Sequence, residues 1–399
     1  MLISLYLLTY YSFYKATGKK INILIVILPF IITYSAFLGF GDLGARNIDI
    51  YLNSIIGAFF FFLPFFIFHK NIKYAALKQV SNRQVSSTRL RFWMMALVIA
   101  NIYVISVMAN YGFPLLSENP NLVRLYFAQD NSLAVRVINY VNPMLAMICL
   151  YFFVNQKKRS QITAYLIFFL VCLTPFLLGN KGSVLMLTIL FIAFSRTMNE
   201  SRIVNEKVLI LVGAASVVIG FILHMQVSNS TVVFLSIIER LGNYSGVNVV
   251  FNEFIPNHGY MYGETFIYEM NGILSLLGIT EGITTQTVGN YIARWFSGGD
   301  SSYLMEYVFP IFIVGYINTG FIGTVLFSFI LGVFFVFFYI TYLKKSDIIS
   351  VWYLMLAYTC LLIFASGKPG SFIVGNILTF SIFFFFMYSS RIFFKNILK

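Results

Sequence analysis

Residues 161–195 form an apolar run broken near its middle by a single charge, Lys181 in the turn sequence "GNKG". One helix over that run would be about 50 Å long at about 1.5 Å per residue, against a hydrocarbon core of about 30 Å. The run therefore reads as two membrane spans, and the paired glycines mark a tight turn between them. That places Lys181 at a membrane surface. Similar runs recur along the chain. Only 10% of the residues are charged, where soluble domains carry about 25%. The expected fold is an all-α polytopic membrane protein forming one integral membrane domain over 1–399.

Eleven spans are predicted, at about 1–14, 21–40, 51–68, 93–109, 135–154, 161–178, 183–195, 208–225, 317–343, 350–366 and 371–388. The start "MLISLYLLTYYSFYK" has neither a basic first segment nor a small-residue cleavage site, so a removed signal peptide is not expected. Cys149, Cys172 and Cys360 all fall inside apolar runs and read as small buried side chains.

The charges orient this layout. One side receives 20 of the 27 lysines and arginines, with Glu200, Glu206 and Asp347 as its acids. The other receives seven cations and eleven acids. Short loops rich in Lys and Arg stay cytoplasmic, so the N-terminus is predicted outside and the C-terminus inside. The net charge of +13 is thereby a matter of membrane orientation, and nucleic acid is not an expected partner. Three longer pieces face outward: 41–50, 110–134 and a large segment at about 226–316 between the eighth and ninth spans. The last mixes aromatic, glycine and charged residues, which suggests ordered structure lying on or dipping into the membrane.

Seven cations face outward against the bias: Arg46, Arg124, Arg136, Lys181, Arg240, Arg294 and Lys368. Arg46 and Lys368 read as surface charges. Arg124 and Arg136 lie twelve residues apart around "LYFAQDNSLAV", about 120° apart on one helix, so they converge only if the helix breaks near "QDN". Alternatively they are interfacial arginines with Asp130 as partner. Arg240 has Glu239 beside it, but adjacent residues do not share a helix face. Arg294 precedes Trp295 in "YIARWF", an interfacial-helix signature. Basic groups at headgroup depth suit an anionic ligand such as a lipid-linked pyrophosphate, with arginine offering a bidentate fork and lysine a point charge.

Several chemistries lack their motifs. No Gly-rich phosphate loop or HExxH sequence occurs, and "GFGDLGARNID" has no paired-acid D-x-D. No metal and no cofactor are expected. The predicted spans carry almost no charge at mid-depth, His224 lying near an outer end, which weakens a transporter reading.

Three stretches resemble the oligosaccharide repeat-unit polymerases, the Wzy or O-antigen and capsule polymerase family. They are "YGFPLLSENPNLVRLYFAQDNSLAVRVINYVNPMLA", "LLGNKGSVLMLTILF" and "YINTGFIGTVLFSFILGVFFVFFY", in the family's order, with a large external loop between the second and third. The family turn usually carries Arg where this chain has Lys181, which keeps the charge and loses the fork.

The resemblance implies a metal-independent glycosyltransferase at the outer face of the cytoplasmic membrane. It would transfer a growing glycan from undecaprenyl pyrophosphate to a sugar hydroxyl of a lipid-linked repeat unit. Its implied partners are that lipid-linked oligosaccharide, membrane lipids and a chain-length regulator. External cations, with Arg124, Arg136, Lys181, Arg240 and Arg294 as candidates, would stabilise the departing pyrophosphate. A base must take the acceptor proton, and the large loop offers Glu253, His258, Glu264 and Asp300. His258 also reads as a solvated loop residue and Asp300 as a turn residue. The tyrosines and Trp295 read either as sugar-stacking surfaces or as an interfacial belt. Two alternatives share parts of this layout: a flippase or transporter of lipid-linked oligosaccharide, and an O-antigen-ligase-like glycan transferase.

Overall fold

The computed structural model describes residues 1–40, 48–78, 87–156, 160–198, 205–228, 246–276, 287–298, 307–345, 349–382 and 385. Every regular element among them is helical. In chain order they are α1 (Leu2–Thr17), α2 (Leu28–Phe40), α3 (Ile48–Ile67), α4 (His69–Leu77), α5 (Ser87–Tyr111), α6 (Pro120–Asp130), α7 (Ser132–Arg136), α8 (Asn142–Val154), α9 (Gln161–Leu177), α10 (Lys181–Met198) and α11 (Glu206–Ser228). The short α12 (Gly246–Val249) and α13 (Ile255–His258) follow, then α14 (Glu264–Leu276), α15 (Val288–Phe296), α16 (Ile311–Lys344), α17 (Ile349–Ser366) and α18 (Pro369–Phe372). Among the described residues, five stretches are long and apolar enough to cross a membrane: Ile48–Ile67, Ser87–Leu116, Ser132–Val154, Ile311–Lys344 and Ile349–Ser366. Shorter apolar helices occupy Ile23–Gly39, Gln161–Leu177 and Gly182–Met198. The chain is a multi-pass membrane protein; the count of eleven spans and the orientation go beyond this.

The spans enclose a core rich in aromatic rings. Phe65 stacks on Phe335 at 4.9 Å and Phe61 on Phe364 at 4.0 Å, which ties α3 to α16 and α17. One buried polar group between helices is neutral and shared by three of them. Asn142 of α8 donates to Asn101 of α5 and to Thr174 of α9. Hydrogen bonds of this kind fix the register of apolar helices that lipid cannot discriminate.

Helix α16 is two arms. Thr319 (φ −149°, ψ 29°) and Gly320 (φ 66°, ψ −149°) leave helical geometry. The chain reverses there: the Thr324 hydroxyl donates to the Phe312 carbonyl at 3.0 Å, although twelve residues of straight helix would separate them by about 18 Å. The first arm, 311–318, is buried throughout. The second, 321–344, is about 36 Å long and suffices for a full crossing. The predicted span at 317–343 thus begins a few residues later than its apolar pattern suggests. Gly320 makes the reversal possible, because its φ and ψ lie where side chains other than glycine rarely go.

The reversal leaves helix-end carbonyls unsatisfied, and the segment at 261–265 satisfies them. Met261 N–H donates to Ile317 O at 3.0 Å, and Tyr262 N–H to Asn318 O at 3.1 Å. The Asn318 side chain receives Gly263 N–H at 2.8 Å and donates to Thr265 Oγ1 at 2.9 Å. The chain 261–265 is thereby stitched to the end of a buried half-helix.

Candidate functional site

Two groups of chemistry-bearing elements emerge. The first surrounds the "GNKG" turn. Helix α9 ends in Leu178 and Gly179, and α10 begins at Lys181. Asn180 caps α10 by accepting from Ser183 N–H at 3.2 Å. A satellite hydrophobic cluster of Val104, Met108, Phe127, Ala134, Ile138 and Leu178 gathers α5, α6, α7 and the end of α9. Leu115, in the "FPLLS" turn, lies against Gly179. Two stretches separated by some sixty residues, "GFPLLS" and "GNKG", therefore meet in space.

That cluster places the cation-bearing elements. Phe127, fully buried, seats α6 one turn after Arg124. The chain breaks at Asn131 (φ −123°, ψ 52°), between α6 and α7, at the "QDN" sequence. Arg136 closes α7 and is exposed, while Arg124 is half-buried. Asp130 accepts a hydrogen bond from the Tyr111 hydroxyl at 3.0 Å. Lys181 is the first residue of α10. Arg240 and Asp300 lie outside the described residues.

The second group lies within residues 246–276 and 287–298. The His258 ring stacks on Phe254 at 4.5 Å and its Nε2 lies 3.1 Å from the Tyr291 hydroxyl. Trp295 stands edge-on to Phe254 at 5.2 Å, and Tyr268 stacks on Tyr291 at 5.1 Å. Helix α15 supplies both Tyr291 and Trp295, four residues apart and so on one face. Its other face buries Val288, Gly289, Ile292 and Ala293. Burial, then the neighbouring Tyr268 and Glu264, holds the Tyr291 phenol above its ordinary ionisation range. Burial and Glu264 do the same for Tyr268. The carboxylate of Glu264 is thus electrostatically close to both rings.

Of the sequence candidates, His258 and Glu264 are brought to one cluster. Arg294 shares α15 with it, and its Nε is buried without a hydrogen-bond partner. Glu253 is exposed on the π-helical stretch Val250–Phe254, one residue before the phenylalanine that carries the His258 ring. Among the described residues no group of three His, Cys, Asp or Glu stands together as a metal site.

Sequence reasoning missed Glu269. It is 2% exposed, and its Oε2 accepts from Gly370 N–H at 2.6 Å. Lys368, read as a surface charge, is the residue before α18 in that same turn. The signal was available in part: Thr265 and Glu269 are four apart on α14, and Thr265 is buried on Asn318. A packed route then joins the two groups. Tyr140 follows Arg136 and lies against Gly375; Gly370 meets Glu269; Tyr268 meets Tyr291, which meets His258.

Searches of protein-family models, of curated proteins and of solved structures returned no match.

Proposed function

We propose that the protein is a glycan polymerase acting on lipid-pyrophosphate-linked repeat units at the outer face of the cytoplasmic membrane, with the eleven-span, N-terminus-out layout. The observation that supports this reading is the meeting of the "GFPLLS" and "GNKG" turns, which gathers the elements bearing Arg124, Arg136 and Lys181 around one small cluster. His258 is the candidate proton acceptor.

In the reaction, an acceptor sugar hydroxyl attacks the anomeric carbon of the donor glycan. The bond from that carbon to the pyrophosphate oxygen breaks, and the electron pair leaves with the pyrophosphate. His258 takes the hydroxyl proton on the nitrogen that Tyr291 leaves free. Phe254 fixes the ring plane, and the tautomer in which Nε2–H donates to the Tyr291 hydroxyl is the one that leaves Nδ1 able to accept. Lys181, Arg124 and Arg136 offset the negative charge that grows on the leaving group. Arg240, Arg294, Glu253 and Asp300 remain secondary candidates, and no cofactor is needed.

The buried interhelical polar groups around Asn142 are neutral, which favours this reading over a flippase. Deletion of the gene separates the two. Loss of a polymerase leaves surface glycan with a single repeat unit per carrier, whereas loss of a flippase leaves none outside. Orientation is tested by thiol labelling of intact spheroplasts: Ala45→Cys and Met270→Cys should react with an impermeant reagent and Val80→Cys should not. The native cysteines are buried and give a quiet background.

A further inference from the structure

We infer that Asn318, at the end of the buried half-helix 311–318, is the positioning residue for the His258 imidazole. The inference rests on the polymerase reading only for the role of that imidazole as base. Asn318 is 1% exposed, and its side-chain amide fills all four of its hydrogen-bonding positions. The amide oxygen accepts from Gly263 N–H at 2.8 Å and from the Thr265 hydroxyl at 3.1 Å. The amide nitrogen donates to Thr265 Oγ1 at 2.9 Å and to Val314 O at 2.7 Å. A buried amide is costly unless it is satisfied. Here one side chain is satisfied by joining its own half-helix to a segment 55 residues away.

That segment begins at the imidazole. Gly259 closes α13 directly after His258, its N–H donating to Ile255 O at 2.9 Å. The chain turns out at Gly259 (φ 83°) and back at Gly263 (φ 100°), so 260–263 bridge His258 to α14. Three successive N–H groups of this bridge bond the half-helix end: Met261 to Ile317 O, Tyr262 to Asn318 O and Gly263 to Asn318 Oδ1. These bonds hold Tyr262 at φ 43°, the one positive φ outside glycine among the described residues. Such a conformation persists only where its surroundings over-determine it. The half-helix also bears on the other side of the ring. Tyr316 stacks on Phe251 at 4.3 Å, three residues before the Phe254 ring on which His258 lies. One buried arm thus locates His258 twice, through Phe251 and through the 260–263 bridge. The 3.1 Å approach of His258 Nε2 to the Tyr291 hydroxyl depends on where that arm ends.

The test is carbethoxylation of purified full-length protein in detergent by diethyl pyrocarbonate, with the rates at His258 and His69 read separately by peptide mass spectrometry. His69 pairs with Ser12 where α4 meets α1, and it reports any general loosening. Asn318→Leu, close in size but without hydrogen bonds, should release the imidazole from Tyr291. The His258 rate should rise by about threefold, as for loss of one neutral hydrogen bond, with His69 unchanged. In a Tyr291→Phe background the same substitution should give no further rise, because the contact through which it acts is already gone. Thr265→Val, a smaller change at the same junction, makes these comparisons should Asn318→Leu not reach the membrane. An unchanged His258 rate, an equal rise at His69, or full additivity with Tyr291→Phe overturns the inference. If the His258 rate rises while glycan ladders stay normal, the positioning role holds and His258 is not the base. If ladders vanish while the His258 rate is unchanged, the positioning role falls and the polymerase reading stands.

Discussion

The Glu269 carboxylate caps the start of α18, accepting the Gly370 backbone N–H at 2.6 Å across 101 residues of sequence. Glu269 is 2% exposed, so this bond ties α14 to the start of α18 in a place water does not reach. A hydrogen bond to a charged group contributes about 1.5–3 kcal/mol. Glu269→Ala should therefore lower the melting temperature of the detergent-purified protein, and Glu269→Gln, which keeps an acceptor, should lower it less. Equal losses for the two would mean that the bond itself does not matter.

Gly320 offers a backbone test. Its φ of 66° and ψ of −149° suit glycine alone, and an added Cβ would meet the Tyr260 hydroxyl at 3.0 Å. Gly320→Ala should destabilise by about 1–3 kcal/mol. Gly39 in α2 has nothing within 4 Å of an added Cβ, and there alanine should stabilise by up to about 1 kcal/mol. Chemical or thermal melts of the pair check the reversal at 319–320, since a continuous helix would make both substitutions stabilising.

Tyr291 gives a pH signature. Its phenol is raised chiefly by burial, then by Tyr268 and Glu264. A group raised in the folded state contributes stability that is complete below its unfolded pKa of about 10 and is lost as pH climbs through the folded value. Stability should be flat in this respect to about pH 10 and fall above it. Tyr291→Phe removes that titration and should shift alkaline unfolding to higher pH. Unchanged alkaline unfolding would place Tyr291 in a solvated setting.

Lys181 tests the charge role. Lys181→Ala should abolish long-chain glycan with normal membrane levels, a loss of about 2–4 kcal/mol of transition-state stabilisation, or roughly 30- to 1000-fold in rate. Lys181→Arg should retain activity. Wild-type ladders from Lys181→Gln would reduce Lys181 to a headgroup anchor and remove it from the site.

Much of the fold was legible because long apolar runs can do little else. The helix ends at 17, 67, 177 and 366 follow the predicted spans within a few residues, whereas a break near "QDN" was only one of two readings left open by the sequence, and the chain does break at Asn131. The reversal at Thr319–Gly320 was not legible, because a Thr-Gly pair inside an apolar run reads as one continuous span. What defines it is a set of hydrogen bonds from 261–265, more than fifty residues away. The loop site was half legible. His258 stood out by type, but Tyr291 was one tyrosine among 26. Glu269 had no sequence signal of its own, because its role comes from Gly370, 101 residues away. Lys368, likewise, read as surface charge because its turn gains meaning only from that contact.

The central claim is polymerisation by cations and a base, and one reconstitution tests it most directly. Purified protein in liposomes would be given undecaprenyl-pyrophosphate-linked repeat unit in the presence of EDTA, with chain length and released pyrophosphate carrier followed together. The account predicts a ladder of glycan with one carrier released per bond formed, and its loss by about 10²–10⁴-fold in His258→Ala. Substrate that crosses the bilayer without lengthening, or a ladder that needs added Mg²⁺ or Mn²⁺, would contradict it.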